Sequence, residues 1–218
     1  MSRRIPWVWV PVVAATLFVA LLVLDAVGWS PLVRWDESVS ATFREYGTAR
    51  PALVAFLRLA TDVAATIPFL AVGAAATAVF AARRDRRRAL FCGLVTAVVP
   101  ILWSVMHWRV HSPRPSDGFV AVDSSGFPSG HTSNGAALAL AVVLLAWPHL
   151  RAAGRWVLCL AAAAFALFIA YTRVALLAHW PSDVLGGLLL AAAVVPAAAL
   201  TAARLPARRR GTPATHHD

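Results

Sequence analysis

The stretch Val184–Ala203, VLGGLLLAAAVVPAAALTAA, decides how this chain is read. It carries no charge, and a helix of about 20 apolar residues matches the ~30 Å hydrocarbon core of a bilayer. Working back toward the N-terminus, similar uncharged runs recur at Ile5–Leu24, Val63–Ala82 and Ala89–Met106. Shorter ones at Thr132–Trp147 and Trp156–Tyr171 can extend through flanking small or aromatic residues. Composition agrees: of 218 residues, 60% are hydrophobic and 14% charged, against roughly 45–50% and about 25% in soluble domains. Mean hydropathy is +0.69. A soluble globular domain and a disordered chain are both excluded. With 12 Gly and 2 Cys, so are collagen-like and disulfide-stapled folds. Cys92 and Cys159 lie inside apolar runs and are expected to be small buried packing residues. The expected fold is all-α: an integral membrane bundle of six transmembrane helices over residues 1–205, followed by a basic, disordered tail at 206–218. No internal repeat is visible.

Charge gives the orientation. The formal net charge is +10, and all 20 basic residues are Arg. A basic chain can bind nucleic acid, but that requires a basic face on a folded domain. Here the arginines stand in short runs between apolar stretches, so no nucleic-acid partner is expected. Arg3, Arg4, Arg83, Arg84, Arg86, Arg87, Arg88, Arg151, Arg155, Arg204, Arg208, Arg209 and Arg210 fall on one side of a six-span layout. Arg34, Arg44, Arg50, Arg58, Arg109, Arg114 and Arg173 fall on the other. The richer side is cytoplasmic, which puts both termini inside and the first, third and fifth connections outside. The first run exceeds the 7–15 residues of a signal-peptide core and lacks a clear cleavage site, so it reads as a retained anchor.

The outer connections carry the chemistry. Within Trp35–Gly47, Val39, Phe43 and Tyr46 follow i, i+4, i+7 spacing with charges between, as in an amphipathic helix lying in the interface. Pro51–Ala60 is too short to span and either begins the second transmembrane helix or packs beneath it. The third connection, Arg109–Gly130, is long, polar and rich in Pro, Gly and Ser, the kind of loop that tends to be functional. Three polar islands stand at the outer ends of helices three to six: His107–Pro115, Pro128-Ser129-Gly130-His131, and Thr172-Arg173 with His179 and Asp183. Each admits a plain reading. Ser129 can cap a helix, Arg114 can snorkel to the interface, and Asp183 can serve the dipole of a helix that begins at Pro181. Each also admits a functional one. A Ser-Gly helix start offers free N–H groups to an anion. His179 and Asp183, four apart, can pair so that one ring nitrogen is left as a nucleophile. Arg114, stiffened between two prolines, and Arg173 can clamp an oxyanion. Taken together, the islands offer nucleophile, acid, orienting carboxylate and charge clamp. Those are the parts that phosphoryl transfer needs.

In these motifs the sequence resembles the type 2 phosphatidic acid phosphatase superfamily, which shares its site with vanadium haloperoxidases. The family pattern is Lys, six residues, Arg-Pro; then Pro-Ser-Gly-His; then Ser-Arg, five residues, His, three residues, Asp. The second part is complete at 128–131. The third keeps its spacing with Thr172 in place of Ser. The first keeps Arg114-Pro115 but has His107 where the family has Lys. The resemblance implies that His179 is the nucleophile forming a phosphohistidine and that Asp183 orients it. It further implies that His131 protonates the leaving oxygen and then activates water, and that Arg114, Ser129, Gly130 and Arg173 bind phosphate. His107 falls at a phosphate-ligand position, where an unperturbed imidazole would be cationic only below a pH of about 6.5. Arg109 could substitute only if the third helix ended before it. The family needs no metal or other cofactor, and no carboxylate cluster suggests one. Asp117 and Asp123 read as loop-shaping or substrate-selecting.

The expectation is therefore a membrane phosphatase of a bacterial plasma membrane. It would act at the outer leaflet on a lipid phosphate such as phosphatidic acid, phosphatidylglycerol phosphate or a polyprenyl pyrophosphate. Two alternatives stand beside it: a lipid phosphotransferase on the same scaffold, and a non-enzymatic transporter or scaffold. The near-absence of ionisable residues within the spans speaks against a transporter. Nothing in the sequence sets the oligomeric state.

Overall fold

The computed structural model describes residues 6–122 and 124–206. Arg3, Arg4, Asp123, Arg208, Arg209, Arg210 and nearly all of the expected tail lie outside the described residues. Among the described residues eight α-helices follow one another: α1 (Val10–Ala26), α2 (Ser30–Thr48), α3 (Pro51–Thr61), α4 (Thr66–Ala82), α5 (Arg86–Arg109), α6 (Gly130–Ala146), α7 (Ala152–Ala175) and α8 (Pro181–Ala203). Short 3-10 turns precede α1, bridge α3 to α4, and extend α6 to His149. Among the described residues five stretches are long and apolar enough to cross a bilayer, and α1 with α2 makes a sixth if that bent pair counts as one. The all-α transmembrane bundle expected from the sequence is the fold observed. The third and fifth spans run further than their apolar runs suggested, so His107, Arg109, Thr172 and Arg173 are helical.

Helix ends follow local chemistry. Between α1 and α2 the axis turns by 88°. Gly28, at φ +61°, ends α1 by sending its N–H to Asp25 O, while Trp29 N–H reaches Leu24 O. This is a Schellman closure, with glycine at the left-handed position that lacks a Cβ penalty. Asp85 opens α5 by accepting the Arg88 N–H at 3.1 Å, and Ser129 opens α6 by accepting from Thr132 N.

α8 is the hub, packed on α1, α5 and α6, while α6 also contacts α7 and α5. Small residues permit this crowding. A Cβ on Gly187 would stand 2.8 Å from Ser129 O, and one on Gly186 2.6 Å from the Phe127 ring. The core collects Phe69, Phe91, Val95, Val99, Ala137, Ala191 and Val195 from α4, α5, α6 and α8. Cys92 joins that core, but Cys159 is only half-buried, because α7 turns Trp156, Val157 and Leu160 outward. Outward-facing apolar side chains such as Ile67 and Leu160 suit a surface solvated by lipid tails. The arginine-rich ends of the helices meet: Arg87 bonds Leu205 O beyond α8, and Arg88 lies 3.0 Å from His149 beyond α6. The amphipathic helix is α2. Its apolar face meets protein, since Val39 and Phe43 pack on Ala170, Val174 and Val184 of α7 and α8. Tyr46 is exposed, with Arg50 stacked 3.8 Å from its ring.

Candidate active site

At the other end of the bundle, three backbone devices gather the polar islands. The first is the end of α7. Leu177 takes a positive φ of 50°, costly for a bulky L-residue. Its N–H reaches Val174 O, and Ala178 N–H reaches Arg173 O at 3.0 Å, so the chain doubles back. His179 N–H shares the same Arg173 carbonyl at 3.3 Å. The five-residue spacing between Arg173 and His179 is therefore the length of a helix closure. The second device is the start of α8, where Asp183 Oδ2 accepts Trp180 N–H at 3.0 Å and lies 3.2 Å from His179 Nδ1. The third joins α6 to α8: Ser129 N–H donates to the backbone carbonyl of Asp183 at 2.9 Å.

Arg114 closes the loop over this cluster. Its Nε donates to Ser124 O at 2.6 Å, and Nη2 donates to Ser124 Oγ at 3.0 Å and Ser125 O at 2.8 Å. Nη1 donates to Ala178 O and lies 3.0 Å from His179 Nε2. Only a planar fork can bridge two loops and still face the ring. The His179 imidazole is thus held between a carboxylate on Nδ1 and a guanidinium on Nε2, and it is 2% exposed. Burial, then the positive charges of Arg114 and Arg173, push its pKa well below the ordinary 6.5. The ring is neutral at physiological pH, and with Nδ1–H directed at Asp183 the Nε2 lone pair is the free one. Burial also lowers the Arg114 pKa, with Asp183 opposing.

Arg173 is 4% exposed; Nη1 has a long 3.4 Å bond to Thr61 Oγ1 and Nε has no protein partner. A buried guanidinium with an unmet donor is a ready anion ligand. Thr172 is an internal support, with its hydroxyl on Thr61 Oγ1 and Ile169 O. Ser129 Oγ accepts from Thr132 N and Oγ1, which leaves its own proton free. Gly130 backs onto the Trp103 ring. His131 sits in the first turn of α6, half-buried. His107 turns Nε2 to Pro128 O at 2.8 Å, on the backbone of the Pro-Ser-Gly-His island. α5 continues through Arg109, whose guanidinium lies 4.4 Å from the Trp108 ring; Arg109 does not join the cluster. Asp117 adopts φ 58° in the loop.

Sequence reasoning missed Thr61, Ser124 and Gly126. A Cβ on Gly126 would lie 2.9 Å from Asp183 Oδ2, so only glycine lets that strand of loop cover the carboxylate. None of the three belongs to a local pattern. A cavity of about 580 Å³ adjoins the cluster, bounded by Ser104, His107, Trp108, Arg114, Val122 and Ser124.

The PAP2 superfamily model matches residues 114–206. That region is similar to the PAP2 superfamily. The whole fold matches a solved structure described as the first transmembrane PAP2 type phosphatidylglycerolphosphate phosphatase from Bacillus subtilis. The TM-score is 0.76 at 23% identity, over 92% of this chain and 100% of that one. No curated protein sequence matches. The matched region begins at Arg114 and contains Ser129, Gly130, His131, Arg173, His179 and Asp183; His107 precedes it.

Proposed function

We propose that this PAP2-type membrane protein is a phosphatase of lipid phosphates working through a phosphohistidine on His179. The observation that carries the reading is the His179 ring held between Asp183 at Nδ1 and Arg114 at Nε2. A phosphoryl group seated between Nε2 and Arg114 replaces an N–H···N contact with charge-assisted bonds to oxygen. Nε2 attacks phosphorus, the P–O bond to the lipid breaks, and His131 gives a proton to the leaving oxygen. His131 then takes a proton from water as that water attacks the phosphohistidine, which frees Nε2 and releases phosphate. Arg114 and Arg173, with the Ser129 hydroxyl and the N–H groups at the start of α6, neutralise charge on the equatorial oxygens, where most of the catalytic work lies. Asp183 fixes the tautomer and balances the imidazolium character that develops.

A lipid rather than a soluble ester is favoured because the cluster lies at the ends of bilayer-length helices, beside a cavity whose wall includes the outward-facing Trp108. The Bacillus subtilis neighbour makes phosphatidylglycerol phosphate a natural first candidate beside phosphatidic acid and polyprenyl pyrophosphate. The test is phosphate release by the purified protein across that panel, with and without a chelator. Turnover of at least one lipid phosphate, unaffected by the chelator, supports the reading. Inactivity on all of them, or transfer of the phosphoryl group to an alcohol with no free phosphate, contradicts it.

A further inference from the structure

One buried acid has no part in the chemistry above. Asp36 belongs to α2, the amphipathic helix packed on α7 and α8, and it is 6% exposed. Both its oxygens are engaged: Oδ1 accepts the Ser182 N–H at 2.9 Å, and Oδ2 accepts the Ser182 hydroxyl at 2.5 Å. Ser182 is fully buried in the first turn of α8, where helical N–H groups have no intrahelical acceptor. The residue ahead of that turn is Trp180, whose indole cannot accept a hydrogen bond. Asp183, the local acid, already spends Oδ2 on Trp180 N–H and His179. The vacant N–H of Ser182 is therefore capped from 146 residues away in sequence, by a carboxylate that also suits the positive end of the α8 dipole.

We propose that Asp36 is a positioning residue for the His179–Asp183 pair. It pins the α8 start from the outer side, while Ser129 N–H holds the Asp183 carbonyl from the α6 side. Between these two fixings sits the single residue whose carboxylate must meet His179 Nδ1. The apolar contacts of Val39 and Phe43 with Val174 and Val184 bring α2 close to this turn, and Asp36 supplies the directional bond that apolar packing lacks. Asp25, on α1, is the other acid whose charge is felt at Asp36. It is engaged elsewhere, accepting from Ser112 Oγ at 3.3 Å.

The proposal rests on the phosphatase reading, and its test is a pair of double-mutant cycles on Asp36→Ala, Ser182→Ala and the double variant, with Asp36→Asn as the conservative control. In the first cycle, Asp36→Ala is expected to lower kcat by ~10–100-fold, the range set by loss of precise orientation, with KM changed by less than about threefold because no phosphate ligand is touched. Asp36→Asn keeps an acceptor for the Ser182 N–H and should recover most of kcat. The double variant should be no worse than Asp36→Ala alone, since both act on one contact. The second cycle reads melting temperature in detergent, where the losses of the two single variants should likewise fail to add. Full kcat in Asp36→Ala, a rise in KM at unchanged kcat, no rescue by Asn, or additive melting losses would each overturn the assignment. A wild type that releases no phosphate from any lipid contradicts the phosphatase reading instead, and the melting cycle still decides whether the pin exists.

Discussion

His179 is the residue on which the proposed chemistry turns, and its environment sets a pH behaviour. Burial and the charges of Arg114 and Arg173 hold its pKa well below 6.5. In the unfolded chain the ring would titrate near 6.5, so below that pH the unfolded state binds a proton that the folded state refuses. Stability from this group is complete above pH of about 6.5 and declines as pH falls through it. Two outcomes follow from the sign. The melting temperature should fall between pH 7 and 5, and less steeply in His179→Ala. Phosphoenzyme formation, corrected for ionisation of the substrate's own phosphate, should keep its rate below pH 6.5, where an ordinary imidazole nucleophile would already be protonated. An acid limb at or above 6.5 would contradict the buried, neutral assignment. At this scale the sequence was informative where a partner is local. The i, i+4 spacing of His179 and Asp183 announces their contact because a helix start joins them. It says nothing of Arg114 lying on the far side of the ring, since that contact spans 65 positions. His107 shows the same limit: its place relative to Arg114 is visible in sequence, while its bond to Pro128 O depends on how α5 meets the α6 entrance.

Among the elements, the crossing of α6 and α8 sets the tolerances of the site. A methyl group added at Gly187 would press on Ser129 O at 2.8 Å and Thr132 Cβ at 3.0 Å. Backbone cannot swing aside as a long side chain can, so Gly187→Ala should cost about 1–3 kcal/mol of stability. It should also lower kcat at least tenfold by shifting the Ser129–Asp183 junction. Gly93 on α5 is the control, since its added Cβ meets nothing closer than 3.6 Å. Gly93→Ala should be neutral, or stabilising by up to about 1 kcal/mol through the better helix propensity of alanine. Paired melting and activity measurements check both, and equal tolerance at the two sites would show that the crossing is looser than described. The spans themselves were legible because uncharged runs of bilayer length admit few other folds. α2 was legible as an amphipathic helix, but not what its face would meet, because hydropathy treats lipid and an apolar protein neighbour alike. For the same reason Asp36, which sequence alone would count among the solvated charges of that helix, emerges only from the packed structure.

Across the whole molecule the arginine asymmetry is the ground for proposing which end of the bundle faces the cytoplasm, and the cluster of His179, Asp183, Arg114 and Arg173 lies at the arginine-poor end. An outward site is proposed on that ground. In a background lacking Cys92 and Cys159, Ser116→Cys on the long loop should react with an impermeant thiol reagent outside intact cells, and Arg84→Cys should not. Both positions are exposed, so access depends only on sidedness, and the reverse pattern would place the cluster in the cytoplasm. The most direct test of the central claim is turnover of the best lipid phosphate by purified wild type against His179→Ala at equal yield and melting temperature. Loss of a covalent nucleophile should reduce kcat by several orders of magnitude and abolish any trapped phosphoenzyme. A variant that keeps more than about a tenth of the wild-type rate, a loss of only ~1.4 kcal/mol, would contradict the assignment of His179 as nucleophile.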